Sequence, residues 1–243
     1  METSLSSWAG SSLIIFFAFL VRSLTGFGSA LISVPLLALL FDLKFVVPLE
    51  SVLEVGFTAL LAPRVYRQMH KATLLPMIGG AVLGTLAGTY FLQAFGDVIL
   101  KKALGILTLL SGVHFFRAGR GNRARDVSPN WGVLAGASGG ILGGLFGASG
   151  PPFVAYLSYR LTERDVLRAS LIGLFAVDYI WRTAVFAFSG LLTVELITFA
   201  LYLAPVLILG TFLGHKIHFR VPEGHFRKIV AGVLVISGAL LLR

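Results

Sequence analysis

The sequence predicts an all-α, polytopic membrane protein of two inverted repeats, each a broken re-entrant helical hairpin plus three transmembrane helices. Three observations carry that expectation. The 243 residues are 56% hydrophobic and only 13% charged, with a mean hydropathy of +0.89, whereas a soluble domain carries roughly 25% charged residues. Two apolar segments, about 8–41 and 131–159, are too long for one ordinary spanning helix. Each is cut near its middle by helix-weakening residues, Gly26-Phe27-Gly28-Ser29 in the first and Gly147-Ala148-Ser149-Gly150-Pro151-Pro152 in the second.

In chain order, a first repeat over 1–118 holds the hairpin 8–41 and helices 45–63, 73–95 and 98–116. The unbroken segments are mostly near the ~20 residues a spanning helix requires. A basic linker follows over 119–130, at the end of the most polar stretch of the chain, Arg117 to Asp126. The second repeat, 131–243, holds the hairpin 131–159 and helices 166–190, 193–214 and 228–242. Met1-Glu2-Thr3 lacks a basic n-region, so the first apolar run reads as structural and not as a removed signal peptide.

Ordered matches point to duplication. Leu83-Gly84-Thr85-Leu86-Ala87-Gly88 recurs as Leu209-Gly210-Thr211-Phe212-Leu213-Gly214, a shift of 126. At the same shift Lys101-Lys102 falls on Arg227-Lys228 and Ser111-Gly112 on Ser237-Gly238, while the glycine breaks align at a shift of 121. Gly84, Gly88, Gly210 and Gly214 stand at i, i+4 in long helices, where small residues let helices approach closely.

Charge then selects a topology. If all eight segments cross the membrane, the loop Lys and Arg residues divide 8 against 10, with no bias. If both broken segments return to the side they entered from, the division becomes 14 against 4, with only Lys44, Lys101, Lys102 and Arg243 on the sparse side. The positive-inside rule favours the second arrangement. Each half is then a hairpin plus three crossings, so the halves insert with opposite orientation. The basic loops are cytoplasmic, both termini lie outside, and the expected location is the cell (inner) membrane. The net charge of +9 is explained by these loops and not by nucleic-acid binding. With no cysteine, thiol chemistry is excluded.

The tips carry the chemistry. Irregular backbone at membrane depth is tolerated only against protein or a water-filled cavity. A second half-helix begins at each tip, with unpaired N–H groups and the positive end of its dipole. Two such N-termini near the midplane form an anion site. Ser29 and Ser149 read as N-caps or direct ligands, and Pro151-Pro152 suit a first helical turn. Paired interrupted segments are also the sequence pointer to a transporter's binding site. Close packing of small residues is the competing reading of the glycines.

Ionisable residues within apolar segments are few, and each is a site candidate. Arg22 lies one turn before the first tip, and Asp178 and Arg182 share a helix face at i, i+4. In one reading Arg22 or Arg182 is the countercharge of an anion and Glu54 or Asp178 a proton carrier. In the other, Arg22 pairs with a glutamate and Asp178 with Arg182, as internal locks. Glu50 reads as interfacial, and His114, His215, His218 and His225 as solvated or at headgroups.

The ordered set resembles the sulfite exporter TauE/SafE family of anion transporters. It comprises Gly26-Phe-Gly-Ser-Ala-Leu-Ile-Ser-Val-Pro35, Leu83 to Gly88, and Gly139-Gly-Ile-Leu-Gly-Gly-Leu-Phe-Gly147-Ala-Ser-Gly-Pro151. The resemblance covers nearly the whole chain and implies export of sulfite or of small organic anions such as sulfonates and carboxylates. Carried over by position, it implies tip residues Gly26, Gly28 and Ser29 with Gly147, Ser149 and Gly150; Phe27, Ala148 and Pro151 beside them complete the candidate binding set. The chain departs from the family pattern, which is richer in glycine, at Ser29-Ala30 and at Ser149 with Pro151-Pro152.

The expectation is therefore a secondary transporter exporting a small anion through a midplane site between the two tips. Its partners are that anion and the lipid bilayer, with a homodimer open and no nucleic acid. No cofactor and no metal are expected; no Gly-x-x-x-x-Gly-Lys-Ser/Thr loop is present. A passive anion channel would use the same helix ends. The distant alternative is an intramembrane serine protease: Gly147-Ala148-Ser149-Gly150 fits the Gly-x-Ser-Gly pattern of rhomboid enzymes, with His215 as its base.

Overall fold

Helices are the only regular elements among the described residues, 5–25, 28–117, 128–217 and 223–243 of the computed structural model. They are α1 (Leu5–Thr25), α2 (Ser29–Leu37), α3 (Leu43–Val65) followed by a 3-10 turn at Tyr66–Gln68, α4 (Lys71–Ala94), α5 (Asp97–Arg117), α6 (Pro129–Phe146), α7 (Gly150–Arg160), α8 (Arg164–Phe188), α9 (Val194–Ile217) and α10 (Glu223–Leu241). The expected tip residues Gly26 and Phe27, and nearly all of the basic linker, lie outside the described residues. By length and composition, three helices among the described residues are suited to crossing a bilayer, Lys71–Ala94, Asp165–Phe188 and Val194–Lys216. Their outward faces carry bare apolar side chains such as Leu75, Leu83, Val194 and Leu201, which water disfavours and lipid tolerates. This is a polytopic helical membrane protein.

Both broken segments fold back as hairpins. A side chain at Gly10, early in α1, would meet Leu40 just beyond α2 at 3.5 Å. Likewise Gly132 and Gly139 of α6 face the rings of Tyr156 and Phe153 of α7 in antiparallel order. The arms are unequal. At 1.5 Å per residue the 21 residues of α1 extend about 31 Å and the nine of α2 about 13 Å.

The helices form two compact units, each drawing on both sequence halves: one of Met1–Val46, Phe95–Gly119 and Val194–Arg243, the other of Val47–Ala94 and Arg120–Thr193. In the first, α1 packs on α9 and α5 on α10. Phe199 of α9 anchors the entry to this unit, with Trp8, Phe41 and Phe45 at ring-centroid distances of 4.4, 5.7 and 5.7 Å. Asp97 at the start of α5 accepts the Leu43 N–H at 2.8 Å and pairs with Lys101 at 2.7 Å, so one carboxylate serves two helix N-termini. In the second unit α4 packs on α6, and α8 lies against α4, α6 and α7. The Trp181 indole donates to the Val82 carbonyl at 3.2 Å, and the Ser51 and Thr183 hydroxyls bond at 2.6 Å.

Contacts within these units repeat as the sequence does. A Cβ at Gly84 would meet the carbonyl oxygen of Ala137, and one at Gly88 that of Ile141. Adding 126 to the glycines and subtracting 121 from their partners gives Gly210 on Phe16 and Gly214 on Leu20. Those contacts exist, at 2.5 and 2.6 Å to the carbonyl oxygens. A shift of 126 applied to both members carries Gly112 on Ala231 into Gly238 on Gly105, again both present, at 3.2 and 2.9 Å. The 121-residue shift maps the ends as well: α1 stops at Thr25 and α6 at Phe146, α2 begins at Ser29 and α7 at Gly150.

These glycines are packing positions because backbone occupies the space a side chain would need. A Cβ at Gly140 would strike the Ala81 carbonyl oxygen, with Thr85 N at 2.9 Å. Gly79, on the same helix pair, has nothing within 4 Å of that position. Gly140→Ala is expected to lose about 1–3 kcal/mol, a drop of roughly 2–12 °C in the melting temperature of the detergent-solubilised protein, with Gly79→Ala unchanged. Equal melting temperatures for the two variants would refute the backbone-contact assignment.

Candidate functional site

The second tip is shaped by one glycine and two prolines. Gly147 ends α6 in the left-handed region, φ 70°, where a residue with a Cβ is strained. Its N–H donates to the Gly143 carbonyl at 2.8 Å, closing the helix. Ser149 then occupies the N-cap position and α7 starts at Gly150, with Pro151 and Pro152 in its first turn. Proline has no N–H, so Gly150 and Phe153 are the backbone donors left among the first four residues of α7.

Ser149 does not cap α7 with its side chain, as the sequence had led one to expect. Its hydroxyl, buried, donates instead to Asp178 Oδ2 at 2.8 Å. The same oxygen stands 3.6 Å from Arg182 Nη2, and the side chains of Asp178 and Arg182 are both fully buried. A hydroxyl within reach of a buried carboxylate gains more from that charge-assisted bond than from a backbone N–H. The sequence-predicted residues Ser149, Asp178 and Arg182 are thus brought together, from the start of α7 and one face of α8.

Arg182 is the unusual member. Its Nε, Nη1 and Nη2 make no hydrogen bond to the described residues, and neither does Asp178 Oδ1. The guanidinium carbon lies 4.9 Å from the centroid of the Tyr179 ring, and Tyr179 stacks on Phe175 at 5.7 Å and 12°. Phe175 in turn meets Phe153 of α7 at 5.9 Å. A buried cation costs several kcal/mol of lost hydration, and Asp178 with the ring face returns part of it. Five N–H donors on a fixed fork, enclosed and facing a hydroxyl, suit a small oxyanion.

Room for this guanidinium comes from α6. The ideal Cβ position on Gly143 is 2.8 Å from Arg182 Nη1, 3.2 Å from Ser149 Cβ and 3.7 Å from Asp178 Oδ1. Gly143 and the Tyr179 ring were not singled out as site residues from sequence. The only signal was spacing: Gly139 and Gly143 fall on a different face of α6 from Gly136, Gly140 and Gly144, which meet α4.

At the first tip Gly28 takes the left-handed conformation, φ 95°, at the N-cap of α2. Ser29 is the first helical residue and not the cap; it is buried, and its carbonyl accepts the Ser33 hydroxyl at 3.0 Å. Arg22 is buried in α1 with its guanidinium carbon 5.7 Å from the Phe19 centroid. Glu54 is fully buried in α3, and so is Glu50. The interfacial reading of Glu50 is corrected here: one turn from Glu54 on the same face, it is enclosed with it. His215 is exposed in the last turn of α9, while the Ser149 proton goes to a carboxylate. The serine hydroxyl thus has a buried carboxylate as its partner.

A family profile described as "Sulfite exporter TauE/SafE" matches residues 11–241. The chain belongs to the sulfite exporter TauE/SafE family. Among its relatives is a probable sulfite/organosulfonate exporter TauE of Cupriavidus necator, 28% identical over 172 residues, which are 70% of this chain and 66% of the relative. A probable inner membrane transporter protein TsaS of Comamonas testosteroni is 26% identical over 72% of this chain and 74% of its own length. A probable membrane transporter protein of Methanocaldococcus jannaschii is 23% identical over 95% and 94% of the two chains. No solved structure matches the chain. Membership of the TauE/SafE family agrees with the membrane-spanning helices.

Proposed function

We propose that this chain is a secondary transporter that exports a small oxyanion, of the sulfite, organosulfonate or carboxylate type, bound at its hairpin tips. The observation that carries the reading is Arg182: a fully buried arginine whose nitrogens make no hydrogen bond among the described residues, near Ser149 at the start of α7. The names of the Cupriavidus and Comamonas relatives support the substrate class and the membrane. In this reading Arg182 and Arg22 are the countercharges, Ser29 and Ser149 offer hydroxyls, and the tip backbone at Gly28, Gly147, Ala148, Gly150 and Pro151 shapes the approach. No enzymatic step is involved.

Binding is read from melting temperatures of the purified protein against sulfite, sulfoacetate, sulfate, thiosulfate and simple carboxylates. An anion at about 100 times its dissociation constant adds roughly 2.7 kcal/mol of stability. One class is expected to stabilise the wild type and to lose that effect in Ser149→Ala, Arg22→Ala and Arg182→Ala. Shifts indifferent to all three changes would sink the tip site.

Asp178 and Glu54 are the proposed proton carriers. Asp178 accepts the serine hydroxyl and pairs with the arginine, so an anion bound at Arg182 competes with its carboxylate for that cation. In proteoliposomes the anion flux is expected to follow an imposed proton gradient, and to lose that dependence in Asp178→Asn and Glu54→Gln. A wild-type flux blind to the gradient would leave a passive channel.

The inverted arrangement has support from α5 and α10. These are equivalent helices of the two repeats, and their contacts run antiparallel: Gly105 meets Gly238 while Gly112 meets Ala231. A two-fold relating antiparallel helices lies across them, in the membrane plane when they span it. The chain has no cysteine, so single cysteines report sidedness cleanly. With basic loops in the cytoplasm of an inner-membrane protein, Ser4→Cys is expected to react with an impermeant maleimide in intact cells or spheroplasts, and Asn122→Cys only after permeabilisation. The opposite pattern, or labelling of both in intact cells, would overturn this topology.

A further inference from the structure

The two tips each have one buried arginine, yet the arginines come from different elements. Arg22 sits on α1, the first arm of its own hairpin. The 121-residue shift that superposes the hairpin ends, 25 on 146 and 29 on 150, and the contact partners, Phe16 on Ala137 and Leu20 on Ile141, puts Gly143 at the position of Arg22. In place of a side chain there, Arg182 Nη1 lies 2.8 Å from where the Gly143 Cβ would be. The Ser149 Cβ and the Asp178 carboxylate border the same point, at 3.2 and 3.7 Å.

We propose that Gly143 is the counterpart of Arg22, without a side chain so that the Arg182 guanidinium enters from α8 and supplies the cation of the second tip. Gly143 is then a positioning residue of the anion site, and the proposal rests on the anion-binding reading given above. Its duty differs from that of its neighbours. Gly140 and Gly144 are held to glycine by the backbone of α4, with Thr85 N and Thr89 N 2.9 Å from their Cβ positions. At Gly143 the nearest obstacle is the far end of a long side chain, which can swing away. A methyl group there displaces the cation and leaves the helix packing in place.

The chemistry at the two tips is complementary to this origin. At the second tip Pro151 and Pro152 remove two backbone donors from the first turn of α7. The first turn of α2, Ser29-Ala30-Leu31-Ile32, keeps all of its own. A donor-poor helix end relies on a guanidinium brought directly against it. Delivery from α8 also places that guanidinium one turn from Asp178, which a residue on α6 would not have on its own helix. The second tip thereby carries a cation with a built-in carboxylate competitor on its own helix.

The test uses the full chain in detergent with sulfite as the probe, binding being read from the sulfite-dependent rise in melting temperature. Four proteins are compared: wild type, Arg182→Ala, Gly143→Ala, and the relocated-arginine double variant Gly143→Arg/Arg182→Ala. Arg182→Ala is expected to lose the sulfite response. Gly143→Ala is expected to melt within about 4 °C of wild type without sulfite, yet to bind sulfite at least about tenfold more weakly. The double variant, with its arginine at the position Arg22 holds in the other repeat, is expected to regain binding to within about tenfold of wild type. Wild-type sulfite binding in Gly143→Ala, or a double variant no better than Arg182→Ala, overturns the proposal while leaving the anion site standing. If Gly143→Ala melts low, Gly143→Ala/Arg182→Ala decides: recovery supports collision with the guanidinium, and no recovery assigns it to backbone and overturns the proposal. Absence of a sulfite response in the wild type, or one unchanged in Arg182→Ala, brings down the anion-site reading and this proposal with it.

Discussion

Backbone contact between α4 and α6 is the constraint on which the second unit depends. Lipid tails are as apolar as leucine, so helices in a bilayer associate through close van der Waals contact more than through exclusion of water. Gly80, Gly84 and Gly88 on one helix and Gly136, Gly140 and Gly144 on the other bring backbone against backbone along the seam. The first arm of the hairpin is thereby fixed against a long helix. Its adjoining face, at Gly139 and Gly143, then receives Phe153 from α7 and Arg182 from α8. A mobile α6 could not hold a buried guanidinium and a serine of the following helix within a few ångströms of one carboxylate.

Much of this was legible in the residues, because the signals were local. Helix breaks at Gly26–Ser29 and Gly147–Pro152 and apolar runs of spanning length marked the elements, and their observed ends lie close to those expected. The glycine spacings of Gly84, Gly88, Gly210 and Gly214 gave away close packing. The i, i+4 spacing of Asp178 and Arg182 gave away the ion pair. What could not be read was which helix each glycine meets. That α4 pairs with α6 and α9 with α1, across the sequence halves, is a tertiary choice with no local sign. The bond from Ser149 to Asp178 spans 29 residues and depends on the same choice. Glu50 was misread because a position near the end of an apolar run says nothing about which neighbours enclose it.

The close contacts that recur along the chain are not matched by its charges. The contacts of Gly84, Gly88 and Gly112 recur at Gly210, Gly214 and Gly238. The polar residues do not follow: α3 carries Glu50 and Glu54, while α8 carries Asp178 and Arg182. A close helix contact constrains shape alone, so both copies keep it. A buried charge must be balanced by its own neighbours, and the ionisable residues of α3 and α8 differ. The difference between α3 and α8 is therefore found in their ionisable side chains.

The pairing of α1 with α9 also has a consequence in time. Phe16 and Gly210 touch, and about 190 residues separate them; at a synthesis rate of roughly 5–20 residues per second, α1 exists for about 10–40 s before α9 has been made. Throughout that interval the first hairpin is in or near the membrane with its largest helix contact missing. The insertion machinery or the lipid headgroups must hold it until the eighth helix of the chain is followed by the ninth. A ribosome that stops short of α9 leaves a product whose first unit never closes, with the α9-facing side of α1 as the surface by which quality control would know it.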